Sequence, residues 1–276
     1  AAPIDLFTSS QSAVYACFRT MSMVRTRADT LHVFVEARRG NCIDQPSGGT
    51  DVLTRRSTDW GRTFSPARRI LGDGAGSGVY RNPYATFDAR SGQLLLNFVN
   101  TTNCSRTDPC FGRWSSHQIS SPDDGAAWSA PTPVVWNSTR AGHLHAEGCL
   151  MGPGHGIQLA SGRLLMCGSS AFQSAAETSG ESGSLISTSD DGGRSWTPRA
   201  IVATSSECQV VEMADGTLVL NGRGGRHGRV QSLSTSQGED WAPPRAISSL
   251  PGPGAAGGLA YVKSTNTLWL SNPANP

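Results

Sequence analysis

Apolar residues in this chain fall in short bursts. "LHVFVEA" (31–37), "SLIST" (184–188), "CQVV" (208–211) and "TLVLNG" (217–222) are each a few residues long and end on a charged, Ser or Gly residue. β-Branched residues crowd them, as strand packing favours. No apolar stripe holds a period of 3.6 for the length of a helix, so very little helix is expected. Glycine (32) and proline (16) supply the punctuation. The pattern predicts an all-β protein of many short strands and tight turns.

Between the bursts one turn phrase recurs. "STDWGRTF" (57–64), "SPDDGAAW" (121–128) and "SDDGGRSW" (189–196) share Ser, Asp, Gly and a closing aromatic at fixed spacing. A fainter copy, "STSQGEDW" (234–241), has Ser236 in place of Asp. The chemistry explains the choice of residues. Asp can accept from backbone amides at the turn, Gly supplies positive φ, and the aromatic plugs between neighbouring strands. The interval between copies is near that of propeller blades. The aspartates Asp59, Asp123 and Asp191 are therefore read as structural.

Composition narrows the functional classes. The chain of 276 residues can bury a substantial core. Its formal charge is +2 with no basic block, so nothing suggests nucleic acid as a partner. No apolar run reaches the ~18 residues that a membrane span needs. The first residue is Ala and no signal peptide is visible, which suggests a removed targeting segment or a partial chain. Of seven cysteines, Cys104 and Cys110 bracket "NCSRTDPC", a spacing that a hairpin disulfide could close. Three N-x-[ST] sequons, at Asn100, Asn103 and Asn137, add weight to a secreted or lumenal protein.

The turn phrases resemble the Asp-boxes of sialidases. That resemblance implies a six-bladed β-propeller of the sialidase type, of which about four to five blades are present. Residues 1–276 would then be one partial propeller domain, with its C-terminal blades beyond Pro276. A propeller alone says little about function, since Asp-boxes also occur in carbohydrate binders. Other residues discriminate. "YACFRTMSMV" (15–24) puts Arg19 inside a strand-like segment, where a cation is costly unless it meets an anion. It resembles the sialidase Phe-Arg-Ile-Pro motif, whose Arg grips the substrate carboxylate, with Thr20-Met21 in place of Ile-Pro.

"LHVFVEARRGNCIDQPSGGTDVLTRRSTDWGRTF" (31–64) resembles the family stretch that runs through the acid/base loop into the first Asp-box. Asp44 takes the general acid/base position. Its rival, Asp51, stands just before a strand and reads as a solvated turn residue. In "SSECQVVEMADGTLVLNGRGG" (205–225) Glu207 precedes a burst, "ADG" turns, and the return strand ends at Arg223. A hairpin would bring the two to the same end of a sheet. They resemble the sialidase Glu and second arginine; the alternative is a surface salt bridge across the hairpin. "GPGHGIQLASGRLLM" (152–166) is also similar to the family, and its His155 is expected in an exposed loop rather than lining the pocket. The similarity spans about Tyr15 to Pro276, closest to the lysosomal type of animal sialidase through "VEAR", "ECQ" and "SNPANP".

The resemblance implies a mechanism. Sialic acid carries a carboxylate on its anomeric carbon, so an anionic nucleophile at ~4 Å would meet about 4 kcal/mol of repulsion at an effective dielectric of ~20. A neutral tyrosine avoids this, in departure from the two-carboxylate scheme. Three arginines bind the carboxylate, a Glu takes the tyrosine proton, and an Asp protonates the leaving oxygen and then activates water. The outcome is retention, with no metal or organic cofactor. Arg19 and Arg223 would be two of the arginines, Glu207 the base and Asp44 the acid/base. The third arginine and the tyrosine would follow the "SNPANP"-like segment. Without them the chain by itself is expected to be inactive. Expected partners are sialylated glycans, in a lysosomal or secreted setting; neither linkage preference nor oligomeric state follows. A sialic-acid-binding propeller and a trans-sialidase remain as alternatives.

Overall fold

A computed structural model describes residues 3–43, 48–74, 78–100, 115–137, 150–169, 183–224, 228–250, 252 and 254–273. Four antiparallel sheets follow one another along the chain. The first holds β1 (Cys17–Arg25), β2 (Leu31–Arg38), β3 (Thr50–Ser57) and β4 (Arg68–Leu71) in chain order. The second holds β5 (Tyr80–Asp88), β6 (Gln93–Asn100), β7 (Ser115–Ser121) and β8 (Thr132–Pro133). The fourth repeats the plan with β15 (Cys208–Glu212), β16 (Leu218–Arg223), β17 (Arg229–Ser234) and β18 (Arg245–Ile247). A hairpin of β19 (Gly258–Val262) and β20 (Thr267–Ser271) follows. These are four propeller blades and the start of a fifth, in line with the four to five blades that the Asp-box resemblance implied.

The third blade departs from the plan. Its β12 (Leu164–Ser169), β13 (Gly183–Ser189) and β14 (Thr197–Ala203) are regular, but its inner position is split. β9 (Leu150–Met151) and β11 (Ile157–Gln158) pair with opposite ends of β12, while β10 (Gly154–His155) leaves to pair with β5 of the second blade. Glycine makes this crossing possible. A Cβ at Gly154 would lie 1.2 Å from Gln209 Nε2, and one at Gly156 would lie 2.1 Å from Thr86 Oγ1. The strap therefore runs tight against β5, β1 and β15 at the inner edge of the blades.

The core lies between blades rather than within one barrel. Phe34, Leu94, Leu96 and Phe98 pack the first blade on the second. Tyr84, Leu95, Leu164 and Trp196 join the second to the third, and Leu165, Ile186, Val210 and Leu220 the third to the fourth. Strands covered on both faces need continuous apolar bursts rather than alternation. β6 is buried at every interior position, which is why its sequence reads "QLLLNFVN".

Each turn phrase closes the bend from third to fourth strand. In three of them the Ser hydroxyl donates to the box Asp and accepts the Gly amide, as in Ser57–Asp59 (2.7 Å) with Gly61 (2.8 Å) and Ser189–Asp191 (2.7 Å) with Gly193 (2.8 Å). Asp59 also accepts from the Thr63 hydroxyl and amide, which pulls its pKa down to about 2. Ser236 takes the same place in the fourth copy, accepting the Asp240 amide at 2.8 Å. The box glycines Gly61, Gly125, Gly193 and Gly238 all have positive φ. One detail differs from the expectation: the tryptophans of the second and third boxes fill gaps between blades, not between strands of one sheet. Trp128 meets Phe34 of the first blade edge-on, and the buried Trp196 donates its indole N–H to Gln118 of the second.

Candidate functional site

All inner strands run in the same direction, so their starting ends share one face of the propeller, and the Asp-boxes lie on the other. Arg19 is near the start of β1, and Glu207 immediately precedes β15. Arg223 ends β16, opposite that start. The three therefore sit on one face, away from Asp59, Asp123 and Asp191. The strap carrying β10 touches both β1 and β15 and links the two halves of this face.

The hairpin reading of Glu207 and Arg223 is met directly. Cys208 pairs with Gly222, the Arg223 amide donates to the Glu207 carbonyl at 2.8 Å, and Arg223 Nη1 lies 3.3 Å from Glu207 Oε2. Both side chains are partly exposed, so the pair is open to an incoming ligand. Arg19 stands beside a bulge: the β1–β2 register slips between Arg19 and Ser22, and Thr20 has φ +46°. Such a bulge re-aims neighbouring side chains. Arg19 itself is exposed and donates through Nη1 to the Cys42 carbonyl at 2.9 Å.

Two features beside Arg19 escaped the sequence reading. Arg38 and Glu36 form a buried two-pronged pair, with Nε and Nη2 at 2.9 and 2.7 Å from Glu36 Oε2. Arg38 Nη1 then reaches the carbonyls of Cys42 (3.2 Å) and Ile43 (2.5 Å), while the other Glu36 oxygen accepts the Asn82 amide. The signal was present in "VEAR", where two opposite charges interrupt an apolar strand. The second feature is a disulfide, Cys17–Cys42, with its Cα atoms 5.3 Å apart. The pairing anticipated from spacing, Cys104–Cys110, lies outside the described residues. Cys167 and Cys208 are buried thiols.

Asp44 also lies outside the described residues; the chain before it is followed as far as Ile43. Two other expectations are corrected. Asp51 is no solvated turn residue: it is buried in β3 and accepts from Tyr15 Oη (2.7 Å) and Arg39 Nη2 (2.6 Å). Burial and the Asp51 carboxylate raise the pKa of Tyr15. Asp51 is thereby committed to pinning the base of the β2–β3 loop, where the Arg39 amide also meets the Gly49 carbonyl. His155 is half-buried in β10 rather than exposed in a loop, and desolvation pulls its pKa down.

Among the described residues no cluster of three or more His, Cys, Asp or Glu is placed to hold a metal ion, and no helix is long and apolar enough to cross a membrane. Residues 78–276 match the BNR repeat-like domain family. The chain is 29% identical to Sialidase-4 of Homo sapiens over 240 residues, covering 80% of this chain and 49% of that protein. It is 27% identical over 246 residues to a sialidase of Bacteroides fragilis, covering 82% of this chain and 43% of the relative. The chain thus spans about half the length of these curated relatives. Among solved structures, the Hadza microbial sialidase Hz136 superposes with a TM-score of 0.76 at 21% identity, covering 95% of this chain and 54% of that one.

Proposed function

The chain belongs to the BNR repeat-like family and has sialidases as its relatives; on that premise we propose that it is the larger part of an exo-α-sialidase propeller domain. The protein would release terminal α-linked sialic acids from glycoproteins, glycolipids and oligosaccharides with retention at the anomeric carbon. The observation that carries this reading is the Glu207–Arg223 hairpin end on the same propeller face as Arg19. A carboxylate base beside two exposed arginines suits a substrate that is itself a carboxylate.

In this reading Arg19 and Arg223 grip the sialic acid carboxylate through charge-assisted hydrogen bonds. Glu207 takes the proton of a tyrosine nucleophile supplied from beyond Pro276, as is a third arginine. Asp44 protonates the leaving oxygen and later activates water. A purely binding propeller would use the arginines and have no use for Asp44 and Glu207. The Cys17–Cys42 bridge favours an oxidising compartment, lumenal or extracellular.

The test uses the full-length protein. Asp44→Ala should slow release from alkyl sialosides by 100-fold or more, while aryl sialosides, whose leaving groups need little protonation, lose far less. Equal losses on both would remove Asp44 from the acid role. Absence of any sialic acid release by the wild type would remove the reading itself.

A further inference from the structure

We propose that the Cys17–Cys42 disulfide positions Arg19 for substrate, so that carboxylate recognition is strong in the oxidised protein and weak in the reduced one. This rests on the sialidase reading and adds a redox condition to it. Four observations converge. Cys17 and Arg19 lie two apart on β1, before its bulge, so they share a face of the strand. The bridge fixes Cys42 against that strand. The Cys42 carbonyl then accepts one arm of the Arg19 guanidinium at 2.9 Å, which sets the plane of the group. The same carbonyl and that of Ile43 accept from Arg38, itself locked by the buried Glu36.

The order of these links matters. Glu36 holds Arg38, Arg38 and the bridge hold Cys42, and Cys42 holds Arg19. A further anchor of the β2–β3 loop, Arg39 on Asp51, acts at the loop's base. Cutting the bridge removes the covalent hold on Cys42 and leaves, among the described residues, hydrogen bonds from Arg38 and Arg19 to its carbonyl, which can then shift relative to Arg19. The chemical step is ordinary thiol exchange. A dithiol reductant gives two electrons and two protons, the Cys17–Cys42 bond breaks to two thiols, and the reductant closes to its own disulfide.

The experiment treats folded full-length enzyme with dithiothreitol and compares it with the double variant Cys17→Ser/Cys42→Ser, well below the melting temperature of each. Expected is a rise of about tenfold in KM for an aryl sialoside, with a parallel rise in Ki for a carboxylate-bearing analogue. Dithiothreitol should have no added effect on the double variant, which separates this bridge from the other cysteines. Adding reductant after folding also bypasses any folding defect of the variant. A lowered melting temperature with KM and Ki unchanged would overturn the proposal and leave the bridge a plain staple. If the wild type releases no sialic acid, the functional reading fails and the positional claim is read by nitrogen-15 NMR. The Arg19 guanidinium protons must then lose exchange protection in the double variant, and unchanged protection would overturn the claim.

Discussion

On the proposed reading, single residues on this face divide into those that would face a ligand and those that hold them. Arg223 belongs to the first group, being partly exposed with only Glu207 at ion-pair distance among the described residues. A lost charge-assisted hydrogen bond costs about 1.5–3 kcal/mol, roughly ten- to a hundredfold in affinity. Arg223→Ala should therefore raise KM by that factor and raise Ki for carboxylate analogues in parallel in a steady-state assay. Glu36 belongs to the second group. It and Arg38 are both at most 2% exposed, so Glu36→Ala would remove the buried carboxylate that two arms of this guanidinium bind. Such losses cost about 3–5 kcal/mol, and urea unfolding should show the midpoint drop accordingly. Glu207 and Arg223 were legible in sequence because one hairpin of known turn joins them. Cys17 and Cys42 were not, because pairing depends on strand register that spacing does not encode; the closer pair 104 and 110 drew attention instead.

Between elements the blades are stitched by polar contacts as well as apolar packing. Asp124, beside the second Asp-box carboxylate, accepts from Thr26 and Thr30 (2.6 Å each) and lies 3.1 Å from His32 Nε2, all on the first blade. Burial pulls the pKa of His32 below 6.5, despite Asp124. Burial would raise Asp124, but its hydrogen bonds from Thr26, Thr30 and His32 outweigh this and hold it low. The sign follows from linkage. Below pH 6.5 the unfolded chain takes up a proton at His32 that the folded chain resists, so stability falls with pH from there. Asp124 adds a second loss as pH falls below 3.8, the ordinary value for the free carboxyl. Urea midpoints should decline from about pH 7 to about pH 5, and His32→Phe should flatten that slope. The Asp-boxes were readable as turns from Ser, Asp and Gly alone. That Trp128 and Trp196 reach across to the preceding blade was not readable, since it depends on how neighbouring sheets stack.

At the scale of the whole molecule, the chain is a run of four blades and a hairpin, about half the length of its curated relatives. Among the described residues β20 pairs with β19 alone, and Trp269 within it is 64% exposed, as is Met21 on β1. Unpaired strand edges with exposed apolar side chains template association. The 276-residue chain should sediment with a concentration-dependent increase in mass, reduced by Trp269→Ser. A single monomeric species throughout would contradict this. The sequence by itself determined the strand class and the turn chemistry, because each is encoded locally, within a burst and its adjoining turn; the number of blades came from the family resemblance of those turns. It also placed Glu207 and Arg223 at one end of a sheet. Only the tertiary structure decided that Asp51 is buried, that the strap crosses from the third blade to the second, and that Cys42 is bound beneath Arg19. Each of these depends on contacts between segments distant in the chain, where the packing of blades, not local preference, selects the partner.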